Sequence, residues 1–78
     1  MATLRLFATV RVAAGTGKDT VPGATVAEVI ANASERYGDG FAELVAICRI
    51  WVNGEAADAD TAVDDRDEVA LLPPVSGG

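Results

Sequence analysis

The clearest helical pattern in the chain lies between segments that resemble strands, and this order limits the folds available to it. Thr25-Val26-Ala27-Glu28 is a capping box, in which the Thr25 hydroxyl accepts from the Glu28 amide and the Glu28 side chain reaches back to Thr25. An apolar stripe at helical spacing follows, formed by Val26, Val29, Ile30, Ala33 and Tyr37. Gly38 suits a left-handed C′ residue, so the helix is predicted to end near Tyr37.

Two strand patterns precede this helix. The segment from Leu4 to Val12 alternates with period two and is predicted to be a half-buried strand. One face of that strand would carry Leu4, Leu6, Ala8, Val10 and Val12, and the other Arg5, Phe7, Thr9 and Arg11. After a turn at residues 14–17, Lys18 to Val21 is predicted to form a short return strand that ends at Pro22-Gly23.

More strand-forming sequence follows the helix. Phe41 and Leu44 are expected to fill the core from a loop or a short turn of helix. Residues 47–52 are dense in strand formers, and Asn53-Gly54 predicts a type I′ hairpin with a short strand after it.

The last strand is predicted from Glu68 to Leu72, after an acidic loop at residues 58–67. Pro73-Pro74 ends it, because proline has no N–H to donate to a ladder. No hairpin joins the first and last strands, so the helix would provide the crossover for pairing them in parallel. We therefore expect an α+β fold of the β-grasp (ubiquitin-like) type, a mixed sheet of about 4–5 strands with one main helix on one face. Residues 1–72 would be this single domain and residues 73–78 a flexible C-terminal tail.

Composition excludes most side-chain catalysis. The chain of 78 residues has no histidine and a single cysteine, Cys48. Imidazole catalysis, His-ligated metal sites, disulfides and multi-cysteine metal sites are therefore excluded, and no metal site is expected. Cys48 is expected to be a small buried hydrophobe, and a lone thiol suits a reducing cytoplasm.

Charge and hydropathy restrict the partners. Twelve acidic and six basic residues leave a net charge of −6, which would repel a phosphate backbone, so no nucleic acid is expected. The longest unbroken apolar run, residues 44–48, is far too short for a membrane span, and no membrane contact is expected. The acidic residues concentrated between Glu55 and Glu68 have two interpretations, a solvated rim or a docking surface for a basic partner.

The chain end is the remaining reactive candidate. The tail reads Pro73, Pro74, Val75, Ser76, Gly77 and Gly78. Extended, it would reach about 20 Å, and glycines without a Cβ can thread a narrow channel. The reactive group would be the α-carboxylate of Gly78, which would need activation as an acyl-adenylate. A frayed chain end is the alternative interpretation.

The sequence resembles the MoaD family, the small sulfur-carrying subunit of molybdopterin synthase, within the MoaD/ThiS ubiquitin-like superfamily. The resemblance rests on the ending from Asp67 to Gly78, above all Pro73-Pro74-Val75-Ser76-Gly77-Gly78, and on Leu6-Phe7-Ala8-Thr9-Val10-Arg11 followed by Gly15. The chain departs from the family at Leu71-Leu72, where many members carry aromatic residues.

The resemblance implies a sulfur-transfer cycle. A MoeB-like adenylyltransferase would use ATP and Mg²⁺ to adenylate Gly78, and a sulfur donor, such as a desulfurase or a rhodanese-like protein, would convert it to a thiocarboxylate. A MoaE-like large subunit, in a heterotetramer of two small and two large subunits, would accept the tail. There the sulfur would pass to cyclic pyranopterin monophosphate. The chain would itself be a non-catalytic subunit with no permanently bound cofactor.

A docking face is predicted beside the tail. By alternation, Phe7, Trp51 and Leu72 would form an exposed apolar patch with Arg11 at its rim. Covering of the patch by a loop, and a solvated Arg11, are the alternatives.

Other functions remain open from the sequence. The chain could instead serve as a ThiS-like or CysO-like carrier for thiazole or cysteine synthesis. Two further alternatives are a ubiquitin-like modifier joined to lysines through Gly78 and a passive binding module.

Overall fold

In the computed structural model, the residues described are 1–74, and they form a mixed sheet with helices against one face. The strands are β1 Ala2–Leu6, β2 Lys18–Val21, β3 Arg49–Val52, β4 Glu55–Ala56 and β5 Glu68–Leu72. The helices are α1 Ala8–Ala14, α2 Val26–Tyr37 and α3 Asp39–Val45. Val75, Ser76, Gly77 and Gly78 lie outside the described residues.

The sheet has the predicted topology. Its strand order is β2-β1-β5-β3-β4, with β1 and β5 parallel and the other neighbours antiparallel. The parallel register pairs Leu4 with Val69 and Leu6 with Leu71. The expected α+β, β-grasp arrangement is therefore confirmed, with five strands.

Alternation along β1 and β5 builds the core. Leu4, Leu6, Val69 and Leu71 are fully or almost fully buried and point toward the helices. The helices contribute most of the other residues of this hydrophobic core, namely Val10, Val26, Val29, Ala33, Phe41 and Val45. Burial of such apolar side chains is the main favourable term in folding a domain of this size.

Helix α2 begins and ends where the sequence indicates, although its caps differ in detail. The Thr25 hydroxyl accepts from the Glu28 amide at 3.2 Å, as predicted, but the Glu28 carboxylate accepts from Ala24 N at 3.1 Å rather than from Thr25. Gly38 has φ 96° and ψ −177°, so the predicted left-handed cap is wrong. The reason is that Gly38 also precedes α3 directly, and its extended ψ turns the chain into that helix.

The predicted strand from Leu4 to Val12 is wrong beyond Leu6. Strand β1 ends at Leu6 because its neighbours offer no further partners. Its pairing with β2 ends at Arg5, and its pairing with β5 ends at Leu6, whose partner Leu71 lies near the end of β5. Without a neighbouring strand, residues 8–14 satisfy their backbone groups as α1 instead. Val10 is still buried, but Val12, expected on the buried face, is 81% exposed.

The chain between α2 and β3 forms a second short helix. Phe41 is buried as expected and packs against Tyr37, with ring centroids 5.1 Å apart. Leu44 is only half-buried, because the helical turn places Val45 against the core in its place. Strand β3 begins at Arg49 rather than at Ile47, and Ile47 is 60% exposed.

The hairpin between β3 and β4 is confirmed. Asn53 and Gly54 both have positive φ, 53° and 83°, as a type I′ turn requires. The Asn53 side chain also bridges to the end of the acidic loop, donating to Asp67 Oδ1 and accepting from the Glu68 amide. The hairpin and the start of β5 are thereby held together.

Candidate functional site

The face of the sheet opposite the helices carries the candidate site. Its side chains come from alternate positions of three neighbouring strands, and we call this surface the open face: Thr3, Arg5, Arg49, Trp51, Glu68, Ala70 and Leu72. The registers place Ala70 beside both Arg5 and Trp51, and Leu72 beside Arg49. The intervening residues Ile50 and Leu71 point to the core, as the sequence predicts.

A cavity of about 390 Å³, the tail pocket, lies where the chain leaves the sheet. It is lined by Arg49, Trp51, Leu72, Pro73 and Pro74. Because the prolines cannot continue the ladder, the backbone separates from β3 directly at this pocket. Trp51 also lines a second cavity, of about 420 Å³, beside β4.

The predicted patch is only partly assembled. Trp51 and Leu72 are half-buried and share the tail pocket. Phe7 is 40% exposed, but it lies in the connection from β1 to α1 and does not line that pocket. Arg11 is exposed on α1, not on a strand face as expected.

A third cavity, of about 470 Å³, gathers basic side chains at the other edge of the open face. We call it the basic cleft, and its lining consists of Arg5, Arg11, Thr16, Gly17 and Lys18. Arg5 and Lys18 face each other across the antiparallel register of β1 and β2. Sequence reasoning missed this cleft, although pairing the first two strands would have placed Arg5 near Lys18.

The acidic loop hydrogen-bonds to its own backbone. Asp58 Oδ1 accepts from Asp60 N, Asp64 Oδ1 accepts from Arg66 N, and Asp67 Oδ2 accepts from Asp64 N, each at 2.9 Å. The Asn53 side chain and the Asp64 amide lower the pKa of Asp67 below its usual value. These contacts are typical of turns, and within residues 1–74 no group of three or more acidic, cysteine or histidine side chains could hold a metal ion.

Three further titratable groups, Cys48, Asp19 and Tyr37, make hydrogen bonds within the fold. The Cys48 thiol is half-buried against the core and donates to Leu44 O at 3.2 Å, and burial raises its pKa. On the helix side of the sheet, Asp19 accepts from the Tyr37 hydroxyl and from Arg36, which lowers the pKa of Asp19. Burial and the contact with Asp19 raise the pKa of Tyr37. This cluster ties β2 to α2.

Across residues 1–74, no helix combines the length and the apolar character needed to cross a bilayer.

The first and last strands of the chain, β1 and β5, lie side by side and parallel at the centre of a five-stranded mixed sheet. With the crossover helix on one face and the other face exposed, this arrangement defines a ubiquitin-like β-grasp protein. The sequence model of the ThiS family matches residues 4–78. The chain therefore belongs to the ThiS family, the ubiquitin-like group of sulfur carriers and modifiers. A search among curated proteins found no match to this chain.

Solved structures agree with this assignment. The crystal structure of small archaeal modifier protein 1 from Haloferax volcanii is 34% identical, with a TM-score of 0.77 and coverage of 99% of this chain and 98% of that one. A chain of the BexX/CysO complex from Amycolatopsis orientalis is 27% identical, with a TM-score of 0.85 and full coverage of both chains. A chain of the complex of subunits 1 and 2 of molybdopterin-converting factor from Helicobacter pylori is 27% identical, with a TM-score of 0.74 and coverage of 99% and 97%.

Proposed function

We propose that this chain is the small, sulfur-carrying subunit of a molybdopterin synthase. The observation that carries the proposal is the tail pocket, where Pro73-Pro74 leave the central strand β5 beside Trp51 and Leu72. A partner seated on the open face would thereby receive the tail at a fixed position. The Pro-Pro-Val-Ser-Gly-Gly ending and the likeness to a chain of a molybdopterin-converting factor complex support the choice of pathway.

The proposed chemistry is confined to the chain end. A carboxylate oxygen of Gly78 attacks the α-phosphorus of ATP on a MoeB-like adenylyltransferase, and Mg-pyrophosphate leaves. The persulfide of a desulfurase or rhodanese-like protein attacks the acyl carbon and AMP leaves. A thiol then attacks the donor's sulfur in this acyl disulfide, which breaks the S–S bond, releases the thiocarboxylate and leaves a new disulfide between the thiol and the donor. On a MoaE-like subunit, in an assembly of two small and two large subunits, the sulfur passes to cyclic pyranopterin monophosphate.

The fold supplies position rather than catalysis in this scheme. Pro73 and Pro74 would stiffen the start of the tail, and Val75, Ser76 and Gly77 would thread the partner's channel. Trp51 and Leu72 would provide the apolar contacts of docking, with Phe7 and Arg11 at the margin.

The test is the intact mass of the chain after co-production with the adenylyltransferase and large subunit of its own genome. We expect a species heavier by the difference between one sulfur and one oxygen atom, and molybdopterin in the extract. Deleting Gly77-Gly78 should abolish both while the circular dichroism spectrum stays unchanged. Undiminished molybdopterin with the truncated chain would contradict the proposal.

Docking is tested separately by Trp51→Ala, with Val12→Ala as the matched control. Trp51 lines the tail pocket, whereas Val12 is an apolar side chain exposed on α1. We expect Trp51→Ala to weaken binding of the large subunit at least tenfold, as is usual for a buried interface aromatic. Val12→Ala should bind like the wild type, and equal losses in both variants would count against this docking face.

A second candidate function is sulfur carriage for another synthase, and the likeness to a chain of the BexX/CysO complex favours it. Such a carrier would give the same mass shift but would co-purify with a thiazole or cysteine synthase.

A modifier, as the likeness to small archaeal modifier protein 1 suggests, would instead leave Gly-Gly remnants on lysines of other proteins. Lysine-linked chains of such a modifier could grow only through Lys18, the single lysine.

A further inference from the structure

The basic residues of this acidic chain are concentrated on one side of the sheet. Four of the six basic side chains lie on or beside the open face, and these are Arg5, Arg11, Lys18 and Arg49. Acidic residues outnumber basic ones two to one, yet within residues 1–74 Arg11, Lys18 and Arg49 form no ion pair. Cations that no acidic side chain pairs with are available to an external anion.

The basic cleft concentrates three of these cations around a fixed turn. Leu6 N donates to Gly17 O at 3.0 Å, which holds the turn against the end of β1. The Arg11 side chain lies across Gly17, since a Cβ added there would be 3.1 Å from Arg11 Nε and 3.3 Å from its Cζ. Among the described residues, Arg5 is the one of these three with an acidic partner, Glu68, at 3.5 Å in an exposed and therefore weak pair.

The cleft is also continuous with the surface proposed for docking. Arg5 lies beside Ala70 in the parallel register, and Ala70 lies beside Trp51 in the next ladder. A partner that covers Trp51 therefore reaches Arg5 at its edge. The net charge of −6 disfavours nucleic acids and anionic membranes as occupants of this side, whereas a protein surface can present acid locally.

We propose that the basic cleft binds a carboxylate-rich segment of a protein partner, with Arg5, Arg11 and Lys18 as its contacts. This deepens the proposed function and rests on it, because it assigns the chemistry of the partner that docks on the open face. The cleft would steer association and orient the partner more than it would add affinity.

The test is an NMR titration of the ¹⁵N-labelled full chain with a synthetic oligoglutamate peptide. We expect amide shifts centred on Gly17 and Lys18 in dilute salt, and their loss at high salt, because screening weakens exposed ion pairs. Arg11→Glu and Lys18→Glu should each weaken binding roughly two- to tenfold.

Two variants make the test specific. Arg66→Glu, in the acidic loop, changes net charge by the same amount as Arg11→Glu and should bind the peptide like the wild type. Gly17→Ala changes no charge and requires the flexible Arg11 side chain to shift by only a few tenths of an ångström, so it should also bind the peptide like the wild type. Circular dichroism would verify that each variant is folded.

Three results would overturn the inference: no salt-sensitive shifts at the cleft, equal weakening by Arg66→Glu and Lys18→Glu, or inorganic phosphate binding as tightly as the peptide. The titration needs neither the adenylyltransferase nor the large subunit. Its failure is therefore distinguishable from failure of the proposed function, which is read from the mass of the chain end.

Discussion

Replacing Gly23 by alanine should destabilise the domain strongly, because the turn before α2 leaves no room for a side chain. Gly23 lies between β2 and α2 and has φ +156°. A Cβ there would be 2.6 Å from Val29 N and 2.8 Å from Val29 Cγ2. Val29 is fully buried, so neither its backbone nor its methyl group can move away without shifting α2 on the sheet.

The size of the effect follows from two contributions. Forcing extra atoms into a packed site costs about 1–3 kcal/mol, and the sparsely populated backbone conformation at φ +156° costs a residue with a Cβ about 1–3 kcal/mol more. A domain of this length has a free energy of unfolding of about 4–12 kcal/mol. We therefore expect Gly23→Ala to lose about 3 kcal/mol, and with about 4–8 °C per kcal/mol the melting temperature should fall by about 12–24 °C.

Urea denaturation followed by circular dichroism measures this, with Gly40→Ala as the matched control. Gly40 is exposed in α3, and nothing lies within 4 Å of a Cβ built on it. Alanine is the better helix former, so the control should leave the free energy of unfolding unchanged or raise it by up to about 1 kcal/mol. A free energy of unfolding for Gly23→Ala within about 0.5 kcal/mol of the wild type, the usual range for an unconstrained surface site, would refute this steric explanation.

Two further predictions concern the contacts of α2. Thr25→Ala removes the hydroxyl that accepts from Glu28 N and should lower the free energy of unfolding by about 0.5–2 kcal/mol in urea titrations, whereas Thr25→Ser should retain most of it. Because the pKa of Asp19 is lower in the folded chain, the unfolded chain binds the proton more readily. The ionised Asp19 therefore stabilises the fold fully above pH 3.8, its ordinary pKa, and this stabilisation is lost as the pH falls through the lower pKa of the folded chain. In acid titrations of unfolding, Asp19→Asn should show a shallower loss of stability than the wild type, and identical pH profiles would contradict this assignment.

The fold was predictable from sequence wherever a local pattern is compatible with only one secondary structure. The capping residue Thr25 and the apolar stripe after it define α2, and Asn53-Gly54 defines its hairpin, because these signals depend on neighbours in sequence. The alternation from Leu4 to Val12 was misleading beyond Leu6. Whether it continues as a strand depends on the length of β5, which is a tertiary constraint that periodicity does not contain.

The candidate site was predictable to a similar extent. Trp51 and Leu72 share one face because β3 and β5 pair in register, and alternation alone predicts their sides. Phe7 was assigned to the same face, but the chain leaves the strand at that residue. The basic cleft requires both the register of β1 with β2 and the position of α1, so it emerges only from the assembled fold.

The central position of β5 also determines how the protein bears a mechanical load. The strand is hydrogen-bonded to β1 on one side and to β3 on the other, and the tail continues directly from its end. A pull on the tail acts along both ladders, so their hydrogen bonds are loaded together in shear rather than opened one after another. We therefore expect the sheet to resist tension on the tail better than it would if β5 lay at an edge, where a single ladder would carry the load.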